Sequence, residues 1–252
     1  MIFFKIIFFL VVYFLISNNL IAQTILGDIS NRDINITASF KGAKIIIYGV
    51  VNPEIYNDTN IYVSVVGPKT KAKLRKKVNR YGLWLSDNQY ININYIPSYY
   101  AISSNNEVHN MSSSLFKSIE IGWNNINILG LENKKHSEQY YYKEKLKEIY
   151  QEKQLYVSKL NQLDVIENTL FRAEFNLPVI TPIGDYEVNM YLVDKNNNIL
   201  ISSWHDKIFV AKEGFSAELY KYSKNNSLLY GIFAALGAIL FGLLASEIFR
   251  RI

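Results

Sequence analysis

Ile61-Tyr62-Val63-Ser64-Val65-Val66-Gly67-Pro68-Lys69-Thr70-Lys71-Ala72-Lys73-Leu74-Arg75-Lys76-Lys77-Val78 is the stretch on which the fold turns. Ile61, Val63 and Val65 share one face of a strand that Gly67-Pro68 stops. Beyond that turn, Lys69, Lys71, Lys73, Arg75 and Lys77 fall on one face and Thr70, Ala72, Leu74 and Val78 on the other. Only Lys76 breaks the alternation. Two is the side-chain period of a pleated strand, so the stretch reads as β structure with one solvated, basic face. Two uses of that face stay open. Lysines on an exposed edge keep other chains from pairing with it. Five like charges in a row also repel one another unless something anionic meets them, which fits an anionic lipid surface or an acidic partner.

Outward from that stretch the pattern stays β. Asn35 to Ser39 alternates, and Ala43 to Val50 is an apolar run ending at the Asn52-Pro53 turn. Gly82-Leu83-Trp84-Leu85, Tyr90 to Ile96 and Tyr99 to Ile102 read as further strands. A short helix is predicted around Met111 to Ile121. A long amphipathic helix is predicted over Ser137 to Val165, where Tyr142, Leu146, Ile149, Tyr156, Leu160 and Leu163 keep a 4-3 rhythm once Lys153 fills one slot. After Phe171 the strands return: Tyr186, Val188, Met190 and Leu192 alternate, Asp194 to Asn198 turns, and Ile199 to Val210 runs back. Short strands at this spacing point to a mainly β protein, an immunoglobulin-like β-sandwich flanked or interrupted by the helix.

The two ends are different in kind. Residues 1–22 carry Lys5, an apolar run from Ile6 to Ile16 and a small-residue exit at Ala22, the pattern of a cleaved signal peptide. Leu228 to Ser246 is nineteen residues without a charge, the length of a bilayer's hydrocarbon core, and Arg250 and Arg251 follow at once. The expected organisation is a signal peptide at 1–22, a β-rich region at 23–134, a helical segment at 135–170 and a second β-rich region at 171–224. A transmembrane helix at 228–248 and a cytoplasmic tail at 249–252 complete it. Within the span, Ala234, Ala238, Gly242 and Ser246 recur every fourth residue and place four small side chains on one face. Such rows let helix backbones approach closely in lipid, so homodimerisation or docking onto a permease helix is expected there.

Composition narrows the chemistry. The chain has 252 residues, no cysteine, and a formal charge of +5, too small to demand a nucleic-acid partner. Thiol catalysis, cysteine-based metal sites and disulfide staples are excluded. With 19 Tyr and 14 Phe, a core built on aromatic and β-branched residues must hold the fold. His109, His136 and His205 lie far apart and have no metal-ligand spacing. His205-Asp206 reads as a surface pair on a strand, or as a base with an orienting acid. Arg172 and Glu174 read as an ion pair at a helix end, and Trp84 and Trp204 as core aromatics. Catalytic-serine and phosphate-binding glycine motifs are absent, so no catalytic, cofactor or metal residue is assigned and a non-enzymatic role is expected.

Several motifs, taken together, carry a resemblance. They are Leu26-Gly27-Asp28-Ile29-Ser30, Ile47-Tyr48-Gly49, Val65-Val66-Gly67-Pro68, Gly82-Leu83-Trp84 and Pro97-Ser98-Tyr99-Tyr100-Ala101. Downstream come Leu170-Phe171-Arg172-Ala173, Pro182-Ile183-Gly184-Asp185-Tyr186-Glu187-Val188, Phe209-Val210-Ala211-Lys212-Glu213-Gly214-Phe215 and Ile248-Phe249-Arg250-Arg251. The chain resembles a family of uncharacterised alphaproteobacterial transmembrane proteins. The resemblance implies a single-pass inner-membrane protein with its main domain in the periplasm. Genes of that family tend to lie beside permeases similar to sulfite or organosulfonate exporters, which implies an accessory role. A structural or assembly factor of the cell envelope is the alternative.

Overall fold

The computed structural model describes residues 25–106, 114–131, 134–160 and 162–251. The leader expected over 1–22, with its cleavage point, and His109 lie outside the described residues.

Twelve strands are described, and ten of them form two sheets. The first sheet contains β1 (Ile25–Ile29), β3 (Ala43–Val51), β10 (Leu170–Leu177) and β9 (Asp164–Ile166), in that order and antiparallel throughout. The second runs β2 (Asp33–Ile36), β12 (Leu200–Lys212), β11 (Gly184–Asp194), β4 (Thr59–Val66), β7 (Tyr100–Ser104), β8 (Tyr156–Lys159). Its inner pairs are antiparallel, and both edge strands, β2 on β12 and β8 on β7, lie parallel. The remaining two strands, β5 (Lys69–Arg80) and β6 (Leu83–Pro97), pair only with each other. The two β-rich regions of the sequence are interleaved, since β3 pairs with β10 and β2 with β12.

Alternation decides which faces meet. Ile25, Ile45, Ile47, Phe171 and Phe175 of the first sheet and Val63, Val65, Tyr186, Val188, Met190 and Ile208 of the second are all buried in one core. A Cβ on Gly27 would collide with Met190 Cε, so glycine in β1 is what lets β1 close over β11. Tyr99 ties the two sheets together by donating its hydroxyl to the Asn176 carbonyl at 3.2 Å.

The helices are α1 (Pro53–Tyr56), α2 (Ser114–Ser118), α3 (His136–Glu152), α4 (Phe215–Asn225) and α5 (Ser227–Arg251), and the fold is mixed β and α. The expected early helix is present as α2, which buries Phe116 edge-on against Tyr62. The long helix is shorter than its spacing predicts: it ends at Glu152, not Val165. Gln154 takes φ +57° and turns the chain. Leu155 then accepts a hydrogen bond from Tyr100 N, and Tyr156 enters β8 beside Tyr100, its hydroxyl donating 2.6 Å to the Pro97 carbonyl. Sheet pairing captures the aromatic Tyr156 and β-branched Val157 and so ends the helical rhythm that the spacing carries on to Leu160 and Leu163. In α3 Leu146 is buried, while Tyr142 and Tyr150 pack partly against the core.

The C-terminal helix α5 is of another type. Over Ser227–Arg250 its mean hydropathy reaches 2.3, and none of it is buried in the protein. A helix this long and apolar, uncovered by the described residues, satisfies its backbone internally and suits a bilayer. The protein has a single-pass membrane topology. Hydrogen bonds from Asn226 N to Tyr222 O and from Tyr230 N to Asn226 O make α4 and α5 nearly continuous.

Candidate functional site

β5 and β6 form an arm. Their ladder continues that of β4 and β7, because Val66 pairs with Tyr100, Gly67 N bonds Tyr99 O at 2.8 Å, Ser98 N bonds Pro68 O at 3.0 Å, and Lys69 pairs with Pro97. Near its root the arm is covered: Ile93 and Ile96 are buried, and the 129–130 segment lies along β6 through Asn94 N to Leu129 O at 2.8 Å. Its outer turn, from Tyr81 to Leu85, is exposed.

The basic face is as the alternation predicts. Lys69, Lys71, Lys73, Arg75 and Lys77 are exposed, while Ala72, Leu74 and Val78 are half-buried. Two irregularities in the ladder, between Thr70 and Ala72 and between Arg75 and Lys77, add twist without breaking the pattern. Lys73 and Arg75 lie over the Tyr90 ring at 5.3 and 5.8 Å, and Lys69 over Tyr95 at 5.3 Å. Lys69 also reaches Glu120 at 3.8 Å. The Tyr90 ring holds Lys73 and Arg75 in place without a charge of its own to offset theirs.

The tip corrects the sequence reading of Trp84. It is 69% exposed, far from the core role expected, and Leu83, Leu85 and the fully exposed Tyr81 surround it. The turn is the two-residue pair Tyr81-Gly82 with φ of +56° and +79°, closed by Gly82 N on Asn79 Oδ1 at 3.0 Å. Left-handed backbone at both centres is the hairpin geometry that favours Asn-Gly. Nothing local in Gly82-Leu83-Trp84 distinguishes an arm from a core strand; the Tyr81-Gly82 pair was the available clue.

A cavity of about 360 Å³ opens between the arm and α3. Leu74, Ile91 and Ile149 form its apolar walls. Arg75, Lys77, Lys134 and Lys145 supply four cations, and Tyr90, Tyr141 and Tyr142 supply rings. Lys145 pairs with Glu148 at 2.6 Å, and among the described residues no acidic side chain lines the cavity. Four cations around a partly apolar space favour an organic anion. Nearby, burial depresses the Lys143 pKa. Its ammonium donates to the carbonyls of Asn124 and Ile126 at 3.0 and 2.9 Å, which ties α3 to the 124–126 segment.

The other predicted groups are dispersed. His205 bonds Asn189 Oδ1 through Nδ1 at 2.8 Å, and neighbouring Asp206 pairs with Arg32 at 2.9 Å, so the two belong to different clusters. His136 is exposed at the start of α3. Arg172 and Glu174 do pair, at 3.7 Å, but along β10 and not at a helix end. Trp204 is half-buried at the margin of the core. Among the described residues no group of His, Asp and Glu is placed to hold a metal ion. On α5, Ala234, Ala238, Gly242 and Ser246 are all exposed, with none of the described chain across from them.

These features define a class: a single-pass membrane protein whose β-rich domain extends a basic, aromatic-tipped arm. The chain belongs to the family described as transmembrane protein (Alph_Pro_TM), which it matches over residues 24–251. No curated protein matches it.

Proposed function

We propose that the chain is a non-enzymatic accessory module of an inner-membrane permease whose cargo is a small organic or sulfur oxyanion. In this reading an immunoglobulin-like β-sandwich stands in the periplasm, α5 holds it in the inner membrane, and no cofactor is required. The small-residue row Ala234, Ala238, Gly242 and Ser246 docks onto a permease helix or a second copy. The observation that carries the reading is the cavity lined by Arg75, Lys77, Lys134 and Lys145, a four-cation site with aromatic and aliphatic walls. A binding module needs such a site and no reactive centre.

The full-length protein, purified in mild detergent, should retain an intact permease and bind benzenesulfonate by calorimetry. Arg75→Gln with Lys145→Gln should weaken that binding about tenfold or more, since charge-assisted hydrogen bonds contribute about 1.5–3 kcal/mol each. Recovery of envelope-assembly clients without a permease, and no anion binding, would instead favour an assembly factor.

A further inference from the structure

We propose that the tip of the arm seats in the surface of an anionic bilayer, so that the domain touches the membrane at a second point besides α5. Strand register places the arm. Gly184 pairs with Val210, Glu187 pairs with Val66, and Pro68 packs on Gly184, so β4 leaves the sheet for the arm at the end where β12 leaves it for α4 and α5. Arm and membrane helix depart together.

Lengths then decide reach. The twelve residues of β5 span roughly 36–40 Å at strand rise. The eleven residues of α4 cover only about 16 Å at helical rise. The arm is longer than the tether that starts at the same end of the sheet, long enough to reach the bilayer plane.

Chemistry suits that meeting. Residues 69–97 hold seven cations (Lys69, Lys71, Lys73, Arg75, Lys76, Lys77, Arg80) and one carboxylate, Asp87. At the tip Tyr81, Leu83, Trp84 and Leu85 are exposed together. An aromatic and aliphatic tip behind cations is the composition that partitions into a headgroup layer, with the cations on anionic lipid. Tyr81 adds an independent sign. A bulky side chain at φ +56° strains a turn that Asn would form at ease, so the aromatic ring stands at the tip at a cost to the backbone.

The chain has no native cysteine, so single probes report cleanly. Full-length protein carrying Leu83→Cys, labelled with an environment-sensitive nitrobenzoxadiazole, is reconstituted into nanodiscs of phosphatidylcholine with or without phosphatidylglycerol. The control is Asn196→Cys in the β11–β12 turn, at the opposite end of the sheet. With phosphatidylglycerol present, the Leu83 probe should shift to the blue and be quenched by brominated lipid, and the control should do neither. Adding Lys71→Glu and Lys73→Glu should reverse the shift, and Tyr81→Asn should reduce it while raising the melting temperature. A Leu83 probe that stays in water on both lipids overturns the proposal, leaving protein as the arm's occupant. An equal shift on both lipids overturns the role of the cations. The nanodiscs contain no permease, so neither result bears on the accessory reading above.

Discussion

Gly184 rests on the ring of Pro68: a Cβ built at Gly184 would come 2.8 Å from Pro68 Cγ and 3.2 Å from its Cβ. The contact fixes the first residue of β11 to the root of the arm, and Gly184 also holds φ +139°, which side chains with a Cβ disfavour. Gly184→Ala should therefore destabilise the domain by about 1–3 kcal/mol through combined backbone strain and overpacking. Thermal unfolding of the detergent-purified protein measures it. An unchanged melting temperature would mean that the root relaxes freely.

Alkaline pH should unfold the domain cooperatively. Burial pushes Tyr62 and Tyr191 up to about 12 from 10.0, and Tyr99, Tyr100, Tyr156 and Tyr186 are likewise raised by desolvation. Folded-state values above unfolded ones mean that this stability is complete below pH 10 and is lost as pH climbs through the folded values. Half-buried Lys143 acts in the opposite sense, its depressed value adding stability as pH rises toward 10.5, but it is one group against these six tyrosines and Tyr150, which burial also raises. Titration followed by tyrosinate absorbance and circular dichroism should show both signals changing together above pH 10. A gradual absorbance rise in a folded protein would contradict the assignment.

Replacing Ala238 and Gly242 together with Leu should abolish association of α5 in a membrane reporter assay and leave insertion intact. Leu side chains on that face prevent close backbone approach, and packing is what drives helix association in lipid. Association that survives the double substitution would show that the small-residue face only meets lipid.

Local pattern made much of this molecule legible. The period of two from Lys69 to Val78 and from Tyr186 to Leu192 marks real strands, and the uncharged run from Leu228 marks α5. Spacing failed where distant partners decide. Tyr156, Leu160 and Leu163 keep a helical rhythm, yet the sheet captures Tyr156 because its ring lies among Tyr100, Trp123 and Tyr150. Trp84 alternates like a core residue, and periodicity states which side of a strand is apolar without stating whether anything covers it. The cavity was invisible for the same reason: Arg75 and Lys145 are seventy residues apart in the chain and meet only across the arm and α3.

The parallel pairing of β2 on β12 sets an order of events during synthesis. Asp33 to Ile36 can find its neighbours Phe209 to Lys212 only after nearly the whole domain has been made. That closing strand is followed within fifteen residues by the start of α5 at Ser227. Long-range pairing of this kind comes late in folding, because chain closure must precede the contacts that reward it. Sheet completion and the arrival of the anchor are thus nearly simultaneous, and until then β2 waits with an unpaired edge. A nascent chain stalled before Leu200 would hold β11 open as well, which makes the final strand the lock on the whole domain.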